Sequence, residues 1–317
     1  MRIVFFGTPA FALPSLRALA SARHDIVSVV TQPDRPRGRG HHVAPSDVAS
    51  AASELGLPVL KPARLRDPEF MRALAELGTD LGVVAAYGRI LPPGLLAVPR
   101  LGLVNVHASL LPRWRGAAPV HRAILAGDTV TGVTIMRVVE ALDAGPMLAK
   151  MPTEIASDET SESLEMRLAE LGSLLLVETV SAIARGPVQE VPQDEMQVTY
   201  AAKLDRSESP VHWNRPCLAI HNQIRGLQPW PLATTALGRR RVLLRRSTPI
   251  PQEAHDETPG TIIRLESEAL VVATAPGAIR LTELQLEGRP PMPTRAFLNG
   301  HAVRVGERFE TPAPSGA

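Results

Sequence analysis

The stretch GLVNVHASLLP, residues 102–112, decides the fold. It opens as a strand buried on both faces, which should stay apolar throughout. It ends instead on Asn105 and His107. Residues at i and i+2 of a strand share a face, roughly 6–7 Å apart, so the amide and the imidazole are placed to act on one small group. Strand and helix signals alternate on either side. Strands are expected over residues 2–6, 26–31, 58–60, 80–87 (DLGVVAAY), 130–138 and 147–155. Helices are expected over 8–20, with Thr8 as N-cap and Pro9 in the first turn, and over 45–56, 67–77, 117–126 and 160–185. Such alternation predicts an α/β fold with a doubly wound, mostly parallel sheet. Ligands of these sheets bind outside the carboxyl ends of the strands, where residues 105–112 fall.

The texture changes in the second half. Residues 186–206 hold two prolines and several polar residues and read as a connector. A helix over 214–226 follows, then the turn Pro229-Trp230-Pro231 and short strands near 232–237, 241–247, 260–264, 269–273 and 279–286. Five short strands with turn signals suggest a small barrel of the oligonucleotide-binding kind. The expected division is a first domain over 1–189, a linker over 190–206 and a barrel domain over 207–317.

Composition narrows the classes. With 317 residues, 44% of them hydrophobic, the chain can fill two ordinary cores. No stretch is apolar enough to span a membrane, and the N-terminus MRIVFFGTPAFALPSL lacks a secretory pattern. The one cysteine, Cys217, excludes an intramolecular disulfide and a multi-cysteine metal site. A cytoplasmic monomer is the expectation. From Arg206 onward there are 14 arginines, no lysine and 10 acids, so this part carries +4 and the remainder −2 of the total of +2. A basic module beside a near-neutral one suits a polyanionic partner, although arginine use also follows genome base composition.

Several chemistries lose their anchors. Neither G-x-G-x-x-G nor G-x-x-x-x-G-K-[ST] occurs, so nicotinamide and ATP chemistry have no usual cradle. There is no H-E-x-x-H and no G-x-S-x-G elbow to make Ser109 a nucleophile; His41-His42 read as loop residues, and no metal is expected. What remains is a set of polar residues at strand ends. Asn105 and His107 read either as donors to an oxyanion or as ordinary strand-end polar groups. Asp143, in ALDAGPML, either orients the imidazole or simply starts the turn at Gly145-Pro146. The segment QPDRPRGRGHH, residues 32–42, is long for a strand–helix connection and carries three arginines. It reads either as a phosphate-gripping loop or as a solvated connector.

Taken together, TQPDRPRGRG, VVAAYGRILP, NVHASLLPRWRGAAP, TGVTIM, LDAGPML and QPWP resemble the folate-dependent formyltransferases, from Met1 to about Phe309. The resemblance implies a formyltransferase-type Rossmann-like domain followed by an OB-like barrel. It implies Asn105, His107 and Asp143 in catalysis, and a pterin of 10-formyltetrahydrofolate against Ser109, Leu110, Leu111 and Pro112. The arginine-rich loop and basic barrel point to the branch whose acceptor is initiator Met-tRNA, with Arg37, Arg39, Arg225 and Arg240 as its contacts. The same resemblance leaves one alternative, formyl transfer to a sugar-nucleotide or another small amine. Two departures stand out: His41-His42 replace common lysines, and Ala141 stands where glycine is usual. A rival from another class is a silent RNA-binding protein with a barrel module.

Overall fold

The computed structural model describes residues 1–37 and 42–312, without the side chains of residues 35–37, 42 and 43. The strands of the first half are β1 (Arg2–Gly7), β2 (Asp25–Val30), β3 (Arg35–Arg37), β4 (His42–Ala44), β5 (Val59–Leu60), β6 (Leu81–Ala85), β7 (Leu103–His107), β8 (Arg115–Gly116), β9 (Val130–Arg137), β10 (Met147–Glu154) and β11 (Tyr200–Ala201). The helices are α1 (Leu13–Ser21), α2 (Asp47–Glu54), α3 (Pro68–Glu76), α4 (Pro93–Leu96), α5 (Pro119–Ala126) and α6 (Ser161–Arg185).

Seven strands form one sheet in the order β10-β9-β7-β6-β1-β2-β5. The pairs β5-β2, β2-β1, β1-β6 and β6-β7 are parallel, and β7-β9 is antiparallel. The chain builds outward from β1 to β5, then returns to lay β6 on the other side of β1. That reversal opens a crevice at the carboxyl ends of β1 and β6, with β7 next to it. Ile3, Val4, Phe5 and Phe6 are fully buried, as a strand covered on both faces requires.

Local chemistry sets the helix starts. Ser46 caps α2 by accepting from the Ala49 N–H, and Asp67 caps α3 ahead of Pro68. Thr8 does not cap α1. Its hydroxyl donates to the Tyr87 carbonyl, and a 3-10 turn over Ala10–Ala12 leads into the helix instead. The Tyr87 carbonyl, which also accepts from Gln32 at 2.9 Å, takes the hydroxyl that the capping role would have used.

The second half gives α7 (Cys217–Gly226), β12 (Ala233–Leu237), β13 (Arg240–Ile250), β14 (Ile262–Leu265), β15 (Leu270–Ala273), β16 (Ala278–Leu286), β17 (Met292–Pro293), α8 (Thr294–Gly300) and β18 (Phe309–Glu310). The antiparallel order is β14-β15-β16-β13-β12-β18, with β17 on β16. The two ends of this sheet meet: the Phe309 N–H donates to the Gly260 carbonyl and the Ile262 N–H to the Glu307 carbonyl, both at 2.8 Å. Closure removes the free edges. Register shifts between Leu244 and Ser247 bend β13 around the barrel. The interior is packed with side chains such as Val242, Ile262, Leu281 and Phe297, with Trp213 stacked on Phe309 at 5.6 Å.

Compact units do not follow a single cut in the chain. One comprises Met1–Pro119, Thr131–Thr153 and Glu165–Ala201; the other comprises Val120–Val130, Glu154–Leu164 and the chain from Ala202. Residues 190–201, read from composition as part of a connector, carry regular pairing within the first unit. Val191 bridges Met147, and Tyr200 and Ala201 run parallel to Arg115 and Gly116. No helix of the described residues is long and apolar enough to cross a membrane.

Candidate active site

β7 delivers Asn105 and His107 to the carboxyl edge on one face. Val84 of β6 and Met136 of β9 lie opposite Asn105, and Thr134 of β9 lies opposite His107. His107 is only 5% exposed, and its Nε2 lies 2.9 Å from the Trp114 carbonyl oxygen. A carbonyl only accepts, so Nε2 carries a proton and donates it there. Nδ1 therefore faces the other way, 3.7 Å from Oδ2 of Asp143. That is beyond a direct hydrogen bond, and a proton arriving on Nδ1 would complete an ion pair.

Asp143 adopts a left-handed backbone (φ 47°), unusual for a residue with a side chain. The turn expected at Gly145-Pro146 accounts for this. A Cβ on Gly145 would lie 1.9 Å from the Arg137 carbonyl oxygen, so the loop is pressed against β9 there. Oδ2 of Asp143 also accepts the Gly116 N–H at 2.9 Å. The loop after β7 and the loop after β9 thus meet at one carboxylate. Asn105 is half-buried, and its amide has no hydrogen-bond partner among the described residues. The trio expected from the sequence is together: one uncommitted amide beside an imidazole–carboxylate pair.

The segment expected to meet the pterin divides. Ser109 is fully buried with its hydroxyl donating to the Arg113 carbonyl at 2.6 Å, and Leu111 is fully buried with Met136 and Met147. Their side chains brace the turn. Leu110 and Pro112 remain half-exposed. Lys150 of β10 donates to the Leu111 carbonyl, and burial pulls its ammonium below the usual lysine range.

A groove of about 470 Å³ is lined by Leu65, Arg66, Ile90, Leu91, Pro92, Pro93 and Glu140, the last just before Asp143. Ile90 is 81% exposed at its rim. The sequence reading did not single out this groove. Its signal was the run Ile90-Leu91-Pro92-Pro93 directly after the carboxyl end of a buried strand.

The arginines need correction. Arg115, three residues beyond the segment expected to meet the pterin, is buried, and its guanidinium donates to Glu195 at 2.8 Å and to Gln193 at 2.9 Å. Arg225, expected to touch tRNA, is 7% exposed and donates to the carbonyls of Ala156 and Glu159. Burial holds its guanidinium below the ordinary arginine value. It fastens α7 to residues 156–159 and presents no open fork to a phosphate. Arg240 stands exposed at the start of β13. Arg37 ends β3, opposite His42, with its side chain outside the description; Arg39 lies outside the described residues. Among the described residues no group of His, Cys, Asp and Glu is arranged to hold a metal.

Two family models match the chain. Residues 1–180 match the formyl transferase model, and residues 203–302 match the formyl transferase C-terminal domain. A methionyl-tRNA formyltransferase of Methylococcus capsulatus is 49% identical over 98% of this chain and 100% of its own length. One from Symbiobacterium thermophilum is 46% identical over 98% and 96%. Among solved structures, an N-formyltransferase from Helicobacter canadensis in complex with folinic acid and dTDP-3-aminofucose superposes with a TM-score of 0.69. It is 16% identical and covers 88% of this chain and 98% of its own, a likeness of fold.

Proposed function

The chain belongs to the formyl transferase family, and from that premise we propose that it transfers the formyl group of 10-formyltetrahydrofolate to the α-amino group of methionine on initiator Met-tRNA. The observation that carries the reading at the site is the free Asn105 amide beside the His107–Asp143 pair. The full-length likeness to methionyl-tRNA formyltransferases supports the choice of acceptor.

The geometry supports the following roles. Attack of the amine nitrogen on the formyl carbon puts negative charge on the formyl oxygen; breaking the bond to N10 of the folate, which takes up a proton as it leaves, completes transfer. Asn105 is placed to donate to that oxygen. His107 has spent its Nε2 proton on Trp114, so any donation to the oxygen comes from a protonated Nδ1. Asp143, 3.7 Å from that same nitrogen, stabilises the imidazolium by its charge. The proton released by the attacking amine then has an acceptor in the same pair. For the folate, half-exposed Leu110 and Pro112, and separately the groove that includes Ile90–Pro93, offer apolar surface. Arg37, Arg39 and Arg240 are the arginines carried forward to the tRNA.

A second reading, transfer to a sugar-nucleotide or other small amine, has behind it a fold likeness at 16% identity. A single-turnover assay with 10-formyltetrahydrofolate and charged initiator tRNA, run beside a dTDP-amino sugar, separates the two. Formylation confined to the methionyl ester is expected. Faster formylation of the amino sugar would overturn the proposal.

A further inference from the structure

Gln193 lies in the segment read as a connector, half-buried between exposed neighbours. Its Nε2 donates to two carbonyls of the catalytic loop, those of Asp143 and Gly145, each at 2.8 Å. Its Oε1 accepts from Nε of buried Arg115 at 2.9 Å. Arg115 precedes Gly116, whose N–H is held by Asp143 Oδ2. The hydrogen bonds therefore close a circuit: Gln193 to the Asp143 backbone, the Asp143 carboxylate to Gly116, and Arg115 back to Gln193.

The segment bearing Gln193 is fixed at both ends. Val191 and Met147 exchange backbone hydrogen bonds at 2.8 and 2.9 Å. Tyr200 and Ala201 run beside Arg115 and Gly116, and a Cβ on Gly116 would meet the Ala201 carbonyl oxygen at 2.8 Å. Residues 191–201 thus strap the loop after β9 to the loop after β7. Asp143 needs this support, because a left-handed backbone at a residue with a side chain persists only where its surroundings over-determine it.

We propose that Gln193 is a positioning residue for formyl transfer: its two donated hydrogen bonds set the Asp143 carboxylate against His107 and Gly116. The inference rests on the function proposed above. It goes further in assigning catalytic consequence to a side chain that touches no reacting atom. A misplacement of about 1 Å is enough to cost ~100-fold in rate, so the circuit matters to kcat more than to substrate affinity.

Two near-isosteric variants of the full chain test it. Gln193→Glu can still accept from Arg115 but has no N–H for the two carbonyls. Gln193→Met keeps the volume and offers neither. Glu195→Gln, which alters the exposed partner of Arg115, is the control. Both Gln193 variants should lower the single-turnover rate at saturating substrates by about 10–100-fold. KM for charged tRNA should stay within about threefold, and exchange of the Gly116 amide with solvent deuterium should accelerate. Glu195→Gln should stay near the wild-type rate. A Gln193→Glu protein with the wild-type rate would show that only the Arg115 bond matters and would overturn the inference, as would unaltered Gly116 exchange in both variants. The exchange readout needs no activity, so it still decides the geometry if the wild-type protein proves to formylate another acceptor. If Gln193→Met does not fold, Gln193→Glu decides alone.

Discussion

The carboxyl edge of the parallel sheet and the outer face of the barrel treat polar side chains in opposite ways. At the edge, His107 and Arg115 are buried and already hold partners, and Asp143 is tied to Gly116. On the barrel, Arg239 and Arg240 stand in solvent beside Gly238 at the turn between β12 and β13, and Arg246 reaches an exposed pairing with Glu283 at 3.3 Å. The difference fits the function proposed above. Charge developing on a reacting atom is stabilised best by groups fixed beforehand in a dry site. A polyanion is gathered by accessible charges whose effect reaches through solvent and fades with salt.

Replacing residues at the edge should therefore remove rate and leave affinity. Asn105→Ala, His107→Ala and Asp143→Ala are each expected to lower kcat by about 10²–10³-fold, the cost of losing an oxyanion donor or its orienting group. Circular dichroism and tRNA affinity should stay close to wild type. A His107→Ala protein with near wild-type single-turnover rate would remove the edge from the chemistry.

Two arginines of the second unit put the contrast inside one module. Arg225→Ala strips the donors from the Ala156 and Glu159 carbonyls, and should destabilise the fold by about 1–3 kcal/mol in denaturant titrations. Arg240→Ala should leave the denaturation midpoint alone and weaken tRNA binding, lowering the slope of log affinity against log salt by about 1. If the two variants exchanged these behaviours, burial would be a poor guide to which arginine serves the nucleic acid.

A smaller effect is expected from His221. It is buried between Ser157 and Ser247, and desolvation first, with Arg225 nearby, pulls its imidazole below the ordinary histidine value, against the opposing bond to Ser157. The unfolded chain then takes up a proton at higher pH than the folded one. Stability is intact above about pH 6.5 and falls as pH drops through the depressed folded value. Between about pH 7.5 and 5.5 the wild-type protein should lose more stability than His221→Gln, by on the order of 1 kcal/mol or less. Equal losses in both proteins would place the acid sensitivity elsewhere, for example at His121, which burial also depresses.

The sequence made the edge legible because Asn105 and His107 interrupt a run that burial should have kept apolar. The alternation of strands and helices likewise gave the sheet, and the Gly145-Pro146 turn flagged Asp143. What it hid were the inward-facing groups. Arg225 at the end of a helix looks solvated until residues 156–159, far away in sequence, cover it. Arg115 is covered in the same way, its partners Glu195 and Gln193 lying about 80 residues downstream in what read as a connector. The resemblance set Leu111 and Ser109 against the pterin as part of one segment, but a segment does not show which way a tight turn directs each side chain. Local patterns report periodicity and turns, whereas partner choice across the chain is a tertiary fact.

The interleaving of the two units carries a consequence for biosynthesis. Residues 120–130 and 154–164 belong with chain that starts at Ala202, and Ser161 and residues 156–159 take long-range hydrogen-bond partners at His221, Arg225 and Gly226. At about 5–20 residues added per second, the ribosome releases those partners seconds after the segments that await them. The nascent sheet therefore leaves the exit tunnel with two stretches of unfinished surface, and a translational pause placed before residue 226 would lengthen the time they stand open to chaperones and proteases.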